Sequence, residues 1–318
     1  MRALVTGATG FIGSFLAGRL LRDGATVAIL TRPGAKTWRI DPLLHQVTRI
    51  EGDLRDLSGG QCPPYGRVEN QVHDFAPDTV FHLGWYGVAG SCRNDEEQID
   101  ANLRATLDLV RVALRAGCTT WIGLGSQAEY GPLNRPIAED APTRPTTTYG
   151  AVKLCAGLLA ARLAADTDMR LAWLRVFSTY GPRDNPQWLI PYLVRTLLDG
   201  RKPSLTACEQ TWDYLFVEDA AEAIHRVAVT TGAAGVFNLG SGQARPLRTV
   251  VERIRDSIDP SLSLGFGEVP YRPDQVMHLE ADISRLTAVT GWTPRTPLDE
   301  GLGRTIAWHR EQEQERHE

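Results

Sequence analysis

The sequence has few cysteines, and none of them are paired in sequence. Five are scattered along the 318 residues, and no two stand in a Cys-x-x-Cys spacing: Cys62, Cys92, Cys118, Cys155 and Cys208. Disulfide-built secreted domains and zinc knuckles both depend on closely spaced cysteines, so we expect neither here, and no metal site. Scattered thiols are typical of a reducing compartment, and we therefore expect a cytoplasmic protein.

Long apolar runs and blocks of positive charge are also missing. No stretch approaches the roughly 20 apolar residues of a membrane-spanning helix, and Met1 leads directly into a short apolar segment, so we expect neither a membrane span nor a signal peptide. The formal net charge is −4 without a basic run, which argues against nucleic acid as a partner. The length suffices for one large globular unit or a core domain with a smaller one.

The first 30 residues follow the order strand, glycine turn, helix, strand. An apolar segment (2–6) precedes Gly7, Gly10 and Gly13, a helical pattern follows, and 26–30 is again apolar. Such a βαβ unit presents backbone N–H groups and a helix N-terminus to a pyrophosphate. Gly7 permits the tight turn, Gly10 lets the phosphates approach, and Gly13 lets helix and strand pack closely. The pattern predicts a dinucleotide-binding site.

The residue after the second strand bears on the choice of dinucleotide. NAD sites usually carry an acid there for the ribose 2′-hydroxyl, whereas this chain has Arg32. A guanidinium can hold a 2′-phosphate by charge-assisted hydrogen bonds. We therefore expect NADP(H) to be preferred, with NAD(H) as the alternative.

Further strands and helices alternate along the chain. Segment 47–54 looks like a strand ending near Asp53, which could accept a hydrogen bond from the adenine amino group; 79–84 and 121–125 are two more strands, with a helix over 100–116 between them. This alternation predicts an α/β fold with a Rossmann-type, doubly wound parallel sheet, whose ligands bind beyond the carboxyl ends of the strands. His82, inside an apolar strand, is interpreted as a packed histidine.

Tyr149 and Lys153 are four residues apart, so on a helix they face the same way. A phenol with a pKa of about 10 is a poor proton shuttle near neutrality. A lysine ammonium beside it, together with the positive ring of an oxidised nicotinamide, would favour the phenolate and lower that pKa. The pair is a candidate for proton transfer next to the predicted dinucleotide site.

Taken together, the motifs resemble the extended short-chain dehydrogenases/reductases and, more narrowly, the NAD-dependent epimerase/dehydratase family that modifies nucleotide sugars. The similarity runs in order from Val5 to about Trp308. It rests on Thr6-Gly7-Ala8-Thr9-Gly10-Phe11-Ile12-Gly13, Gly52-Asp53-Leu54, Phe81-His82-Leu83, Asn102, Ser126 with Tyr130-Gly131, Tyr149-x-x-x-Lys153, Leu174-Arg175-x-Phe177 with Tyr180-Gly181-Pro182, and Phe237-Asn238-Leu239-Gly240-Ser241-Gly242.

The resemblance implies a catalytic triad and a set of ligand contacts. Ser126 would hydrogen-bond the reacting sugar oxygen, Tyr149 would carry its proton, and Lys153 would hold the nicotinamide ribose. The implied cofactor contacts are Gly7, Gly10, Phe11, Ile12, Gly13, Arg32, Asp53, Leu54, Leu83 and Lys153. The expected substrate contacts are Trp85, Tyr86, Ser126, Tyr149 and Arg272.

Departures from the family pattern reduce the number of reactions that the chain is expected to catalyse. Dehydratases of the family carry an Asp-Glu pair directly after the Ser/Thr position, where this chain has Gln127 and Ala128, so elimination lacks its proton carriers. Glu129 stands one position later and is interpreted as structural. Trp85 and Tyr86 replace the usual small residues, which suggests a reshaped sugar pocket. Ser178 stands where many epimerases have asparagine.

The second half of the chain resembles the family's smaller substrate domain. We assign residues 1–175 to the dinucleotide-binding domain, with 211–240 returning to it, and 176–318 to a mixed α/β substrate domain. An extended arm over 269–273 carries Arg272, whose guanidinium suits a diphosphate; Arg183 is a weaker candidate. Whether Trp212 and Asp213 touch the ligand is left open.

The sequence thus predicts an enzyme that acts on C4 of a nucleotide-activated hexose. The preferred reading is an NADPH-dependent 4-ketoreductase of a 4-keto-6-deoxy sugar, as in deoxysugar biosynthesis. A 4-epimerase with tightly bound NAD is the alternative, and a non-catalytic NADP-binding regulator is a remote one. The resemblance also implies a homodimer that pairs the helices over 100–116 and 149–165.

Overall fold

Strands and helices alternate through most of the chain. The computed structural model describes residues 1–58, 66–88, 90–272 and 275–317. The strands are β1 (Arg2–Thr6), β2 (Thr26–Thr31), β3 (Thr48–Glu51), β4 (Thr79–His82), β5 (Thr120–Ser126), β6 (Pro136–Ile137), β7 (Arg170–Val176), β8 (Ser178–Tyr180), β9 (Thr211–Phe216), β10 (Gly235–Leu239), β11 (Ala244–Pro246) and β12 (His278–Ala281).

The α-helices cover both faces of the larger sheet, and three of them pack on one side of the smaller sheet. They are α1 (Phe11–Arg22), α2 (Arg67–Phe75), α3 (Ala105–Arg115), α4 (Thr148–Ala164), α5 (Leu189–Leu198), α6 (Val217–Val229), α7 (Leu247–Ile258), α8 (Ser284–Thr290) and α9 (Leu298–His317). None of these helices has the length and apolarity needed to cross a membrane, within the residues described. Cys62 and Pro273 lie outside the described residues.

The larger sheet has seven strands in the order β10-β7-β5-β4-β1-β2-β3, and every pairing in it is parallel. The chain winds outward from β1 in one direction to β3 and then crosses back to β4 on the other side. Because the strand order reverses there, a crevice opens at the carboxyl ends of β1 and β4. The predicted Rossmann-type, doubly wound sheet is confirmed.

Each face of this sheet has its own apolar core. On one face, buried side chains of α1 and α6, such as Leu16, Leu20 and Ile224, pack against the strands. On the other, α2, α3 and α4 contribute residues such as Val72 and Leu109. Burial on both faces explains why the strands are almost continuously apolar rather than alternating.

The smaller sheet is mixed and draws on both halves of the chain. β9 pairs antiparallel with β11 and parallel with β8 and β12, and β12 pairs parallel with β6. Asn238, in β10 of the larger sheet, donates to the carbonyl of Ile137 in β6 at 2.8 Å and so links the two sheets. Of the predicted returning segment, β9 belongs to the smaller sheet and β10 to the larger; the domain division remains a prediction.

The helix predicted over 100–116 begins in a different form. Ile99–Arg104 is π-helical, and the α-helix starts only at Ala105. A π-helical turn often marks a functional position. Here it contains Asn102, whose side-chain oxygen accepts from the backbone N–H of Tyr86 at 2.7 Å and whose amide donates to the Tyr86 carbonyl at 3.1 Å.

The glycine turn after β1 is tightly closed. Gly7 has φ +72°, a conformation that side chains rarely adopt. A Cβ atom at Gly13 would lie 2.1 Å from the carbonyl oxygen of Gly7, closer than any real contact. The turn and the first turn of α1 can therefore approach each other only because residue 13 is glycine.

We expect Gly13→Ala to destabilise the fold by about 3 kcal/mol, because the added methyl group overlaps the backbone of the turn. Gly18→Ala in the same helix is the matched control. A Cβ there would meet only side-chain atoms at 3.5 Å and beyond, so alanine should be neutral or stabilising by about 0.5–1 kcal/mol. Urea unfolding measures both, and equal effects of the two substitutions would contradict the close approach.

Candidate active site

A cleft of about 1250 Å³ opens where the strand order of the larger sheet reverses, and residues of the smaller sheet form its other wall. All the predicted site residues line it, although they come from distant parts of the chain: Gly7, Gly10, Phe11, Ile12, Gly13, Arg32, Asp53, Leu54, Leu83, Trp85, Tyr86, Ser126, Tyr149, Lys153 and Arg272. Arg183 does not line the cleft, because its guanidinium donates to the carbonyl of Arg39 at 3.0 Å.

The glycine turn forms one end of the cleft. Gly10 is the N-cap of α1 and offers no side chain to the first-turn N–H groups, and no acidic residue occupies that turn. These N–H groups and the positive end of the helix favour an anion. A Cβ at Gly7 or Gly13 would collide with the backbone that shapes this turn, so the glycines keep the N–H groups accessible and the residues present fit the pyrophosphate of a dinucleotide.

The region beyond β2 and β3 carries opposite charges side by side. Asp53 accepts from the guanidinium of Arg55 at 2.9 Å, and this hydrogen bond, with a smaller contribution from the charge of Arg32, keeps the pKa of Asp53 below its usual value. Arg32 is exposed on the cleft wall. A ribose bound at the end of β2 would therefore meet the cation Arg32. The acid beside it, Asp53, comes from the loop after β3.

Ser126 ends β5 and begins the next turn. Its hydroxyl oxygen accepts from the backbone N–H of Ala128 at 3.2 Å, and its own N–H donates to the carboxylate of Glu129 at 2.9 Å, so the two residues cap the turn reciprocally. Gln127 and Ala128 line the cleft, whereas Glu129 is fully buried and turned away from it. The positions beside Ser126 that face the cleft thus carry no carboxylate.

Glu129 is held by a buried polar network. Besides the N–H of Ser126, it accepts from the indole of Trp173 at 3.0 Å and from the guanidinium of Arg175 at 2.7 Å. Arg175 and Glu129 form an ion pair whose side chains are 6% and 1% exposed. The structural interpretation of Glu129 is confirmed, since its carboxylate is buried outside the cleft lining together with the side chains of Trp173 and Arg175.

Tyr149 and Lys153 project from the first turns of α4 and are both buried. Burial raises the pKa of Tyr149, while a hydrogen bond with Ser126 and the positive charge of Arg93 act in the opposite direction. The sequence predicted a lowered pKa for this phenol, but in the protein without bound cofactor the pKa of Tyr149 is raised. Ser126 nevertheless stands next to the phenol, as the predicted triad requires.

Lys153 is bound by two groups that sequence reasoning did not anticipate. Its ammonium donates to the carbonyl of Leu124 at 2.5 Å and lies 3.5 Å from the centre of the Trp85 ring, a cation–π contact. Burial lowers the pKa of Lys153 to about 7, and the charge of Glu129 partly opposes this. The ammonium is thus close to losing its proton near neutrality.

Trp85 is also held in place by hydrogen bonds. Its indole N–H donates to the side chain of Gln98 at 3.0 Å, and Gln98 in turn donates to the carbonyl of Gly87 at 2.8 Å. The ring stands edge-on to Tyr149, with centroids 6.2 Å apart. Trp85, a predicted sugar contact, is therefore already engaged with Tyr149 and Lys153.

The structure also resolves several open points. His82 is buried between the hydroxyls of Thr6 and Thr106, and burial lowers its pKa to about 3, which confirms a packed, neutral histidine. Asp213 is fully buried and binds backbone N–H groups, including that of Ser241 at 2.7 Å, so it is structural.

Two further residues line the cleft on the side of the smaller sheet. Trp212 lines the cleft and donates to the hydroxyl of Ser178 at 2.7 Å. Asp184 also lines the cleft, and burial raises its pKa to about 7. No sequence signal marks Asp184, because its burial depends on residues far along the chain.

The chain matches the model of the NAD dependent epimerase/dehydratase family over residues 3–240, and it belongs to that family. A dTDP-glucose 4,6-dehydratase of Streptomyces griseus is 29% identical, over 96% of this chain and 93% of the relative. A UDP-glucose 4-epimerase of Mycolicibacterium smegmatis is 27% identical over 99% and 100%. The solved structure of MoeE5 in complex with UDP-glucuronic acid and NAD has a TM-score of 0.83 and 30% identity over 98% and 100%.

We expect Lys153→Met to stabilise the fold, and to do so more at low pH. Because the folded pKa of about 7 lies below the ordinary value of 10.5, the unfolded chain binds the proton more tightly, and protonation opposes folding. This cost is fully present below about pH 7 and fades as the pH rises towards 10.5. The gain in unfolding free energy should therefore be larger at about pH 6 than at about pH 9.

Urea unfolding at the two pH values measures the effect. Lys202→Met is the control, since the Lys202 side chain is 51% exposed. A gain at Lys153 that does not change between the two pH values would contradict the buried, easily deprotonated lysine.

Proposed function

We propose that the protein is an NAD(P)-dependent oxidoreductase acting on C4 of a nucleotide-activated hexose. The observation that carries this proposal is the convergence of Ser126, Tyr149 and Lys153 on one cleft whose far end is the glycine turn. The named relatives support the substrate class, since they include a dTDP-glucose dehydratase, a UDP-glucose epimerase and a protein bound to UDP-glucuronic acid and NAD.

In this mechanism the three side chains manage the oxygen on C4. Ser126 donates a hydrogen bond to that oxygen, and the phenol of Tyr149 gives it a proton when the carbonyl becomes a hydroxyl, or takes the proton in the reverse direction. Lys153, once it binds the ribose, supplies a positive charge beneath the phenol. The nicotinamide cofactor, when bound, supplies or accepts the hydride at C4.

Elimination of water is not part of the proposal. It needs an acid and a base beside the serine, but the cleft-facing residues there are Gln127 and Ala128. Glu129 is already paired with Arg175 inside the protein. A 4,6-dehydratase activity is therefore not expected, despite the dehydratase among the relatives.

Between the two remaining outcomes we favour a 4-ketoreductase that uses NADPH on a 4-keto-6-deoxy sugar. Arg32, exposed on the cleft wall at the end of β2, is the observation that supports it, because a guanidinium suits a 2′-phosphate. A 4-epimerase that retains NAD is the second candidate. The UDP-glucose 4-epimerase that aligns over 99% of this chain favours it.

The test begins with the freshly purified protein. Any cofactor is released with acid and identified by mass, and NADPH and NADH affinities are measured by fluorescence titration. We expect NADPH to bind more tightly, and Arg32→Ala to remove most of that preference while leaving NADH binding unchanged. The protein is then supplied with NADPH and dTDP-4-keto-6-deoxyglucose, and separately with UDP-glucose.

Oxidation of NADPH by the keto sugar supports the reductase, and we expect Tyr149→Phe to slow it at least about 10²-fold while cofactor binding persists. Conversion of UDP-glucose to its C4 epimer, with about one NAD retained per chain, would replace the reductase by the epimerase. Cofactor binding with no turnover of any nucleotide sugar would overturn the enzyme proposal in favour of a regulator.

We also propose that the protein forms a homodimer through α3 and α4. These helices are neighbours on one face of the larger sheet, and α4 carries two exposed leucines on its outer side, Leu158 at 62% and Leu159 at 43%. Adjacent exposed apolar side chains on a helix indicate a contact surface. A second copy of the chain, joined by a twofold axis, would cover them on both subunits.

Leu158→Glu should convert the dimer to a monomer, because it buries a charge at the centre of the interface. Sedimentation velocity measures the change, and Val229→Glu, at a residue 47% exposed on α6, is the matched control. A native protein that sediments as a monomer, or a variant that remains dimeric, would rule out this interface.

A further inference from the structure

Arg93 faces the catalytic tyrosine, although no sequence motif marks it. The centre of its guanidinium lies 5.3 Å from the centroid of the Tyr149 ring, within the range of a cation–π contact. The side chain also lines the cleft. Within the described residues, the one hydrogen bond of this side chain is a long one, 3.4 Å, to the carbonyl of Val88.

The backbone at Arg93 is fixed against the start of α4. The carbonyl of Arg93 accepts from the N–H of Tyr149 at 2.8 Å, and the side chain of Asn94 accepts from the N–H of Thr148 at 3.2 Å. The first N–H groups of a helix have no partner within it and must find one elsewhere. Residues 93 and 94 supply that partner, so Arg93 and the tyrosine are held together.

The polar and charged groups around the phenol come from three segments. Ser126 and Glu129 lie on the turn after β5, Lys153 follows one turn later on α4, and Arg93 precedes the π-helical turn. Lys153 directs its ammonium to the Leu124 carbonyl and the Trp85 ring. Arg93 is the cation whose head group is directed at Tyr149.

We propose that Arg93 is a positioning residue for Tyr149. The guanidinium of Arg93 stabilises the phenolate form of Tyr149 during proton transfer to and from the substrate oxygen. The inference rests on the proposed function for its consequence in catalysis, but the effect on the phenol belongs to the protein alone. The charge of Arg93 lowers the pKa of Tyr149 against the effect of burial.

The test measures the tyrosine directly and needs no substrate. The protein is labelled with 3-fluorotyrosine, whose phenol is more acidic than that of tyrosine, and the ¹⁹F resonances of its eight tyrosines are followed as the pH rises. The resonance missing from Tyr149→Phe identifies the position. Removing a unit charge at this distance should raise the pKa of that phenol by about one unit in Arg93→Met.

Two further variants separate charge from shape. Arg93→Lys keeps the cation and should leave the titration close to that of the native protein, whereas Arg93→Gln keeps a polar head group but should behave like Arg93→Met. Arg104→Met is the control, because that side chain is 69% exposed on the outer surface and should leave the Tyr149 titration unchanged. Circular dichroism confirms that each variant is folded.

An unchanged Tyr149 titration in both Arg93→Met and Arg93→Gln would overturn the inference, whether or not the proposed function is correct. Where the enzyme turns over a nucleotide sugar, the tyrosine limb of the pH profile of kcat/KM should move upward by the same amount. A rise in KM alone, with the pH profile in place, would make Arg93 a substrate contact and also contradict its role as a positioning residue.

Discussion

The buried carboxylate of Glu129 is the constraint on which the candidate active site depends. It accepts hydrogen bonds from Ser126, Trp173 and Arg175, and so ties the end of β5 to β7. Breaking a buried ion pair by removing one partner typically costs about 3–5 kcal/mol. Gly125, which precedes Ser126 in β5, cannot carry a side chain, because a Cβ there would lie 2.4 Å from the Glu129 carboxylate. The backbone of Ser126 is consequently held in place.

The buried Glu129 also affects the proton affinities of Tyr149 and Lys153. The negative charge of Glu129 raises the pKa values of both Tyr149 and Lys153, which keeps protons on both groups. Burial acts oppositely on the two, because it disfavours the phenolate and the ammonium alike. Arg93 favours the phenolate, and the Trp85 ring favours the ammonium. The proton affinity of the pair is therefore a balance of groups from four segments rather than a property of the Tyr-x-x-x-Lys spacing.

The sequence predicted most of what depends on local pattern. The glycine turn, the parallel strands and the facing of Tyr149 and Lys153 follow from periodicity and short spacings, and the structure has them. What could not be predicted depends on contacts between distant segments. Nothing near Arg93 in sequence indicates that it meets residue 149, and the pairing of β6 with β12 joins segments more than 130 residues apart. The engagement of Trp85 with Lys153 is of the same kind.

The charge of the cleft differs from that of the chain and bears on what it can bind. The whole protein carries a net charge of −4. Among the described residues that line the cleft, however, the basic ones outnumber the acidic ones, which are Asp53 and Asp184; the basic ones are Arg32, Arg39, Arg55, Arg93, Lys153 and Arg272.

Burial raises the pKa of Asp184 to about 7 and so removes part of the negative charge near neutrality. A dinucleotide and a nucleotide sugar each bring a diphosphate, and a cleft whose positive potential is concentrated against an acidic surface draws both towards the same site. The positive side chains are spread along the cleft, from the end of β2 to Arg272 on the opposite wall. That spread suits two anionic ligands lying end to end.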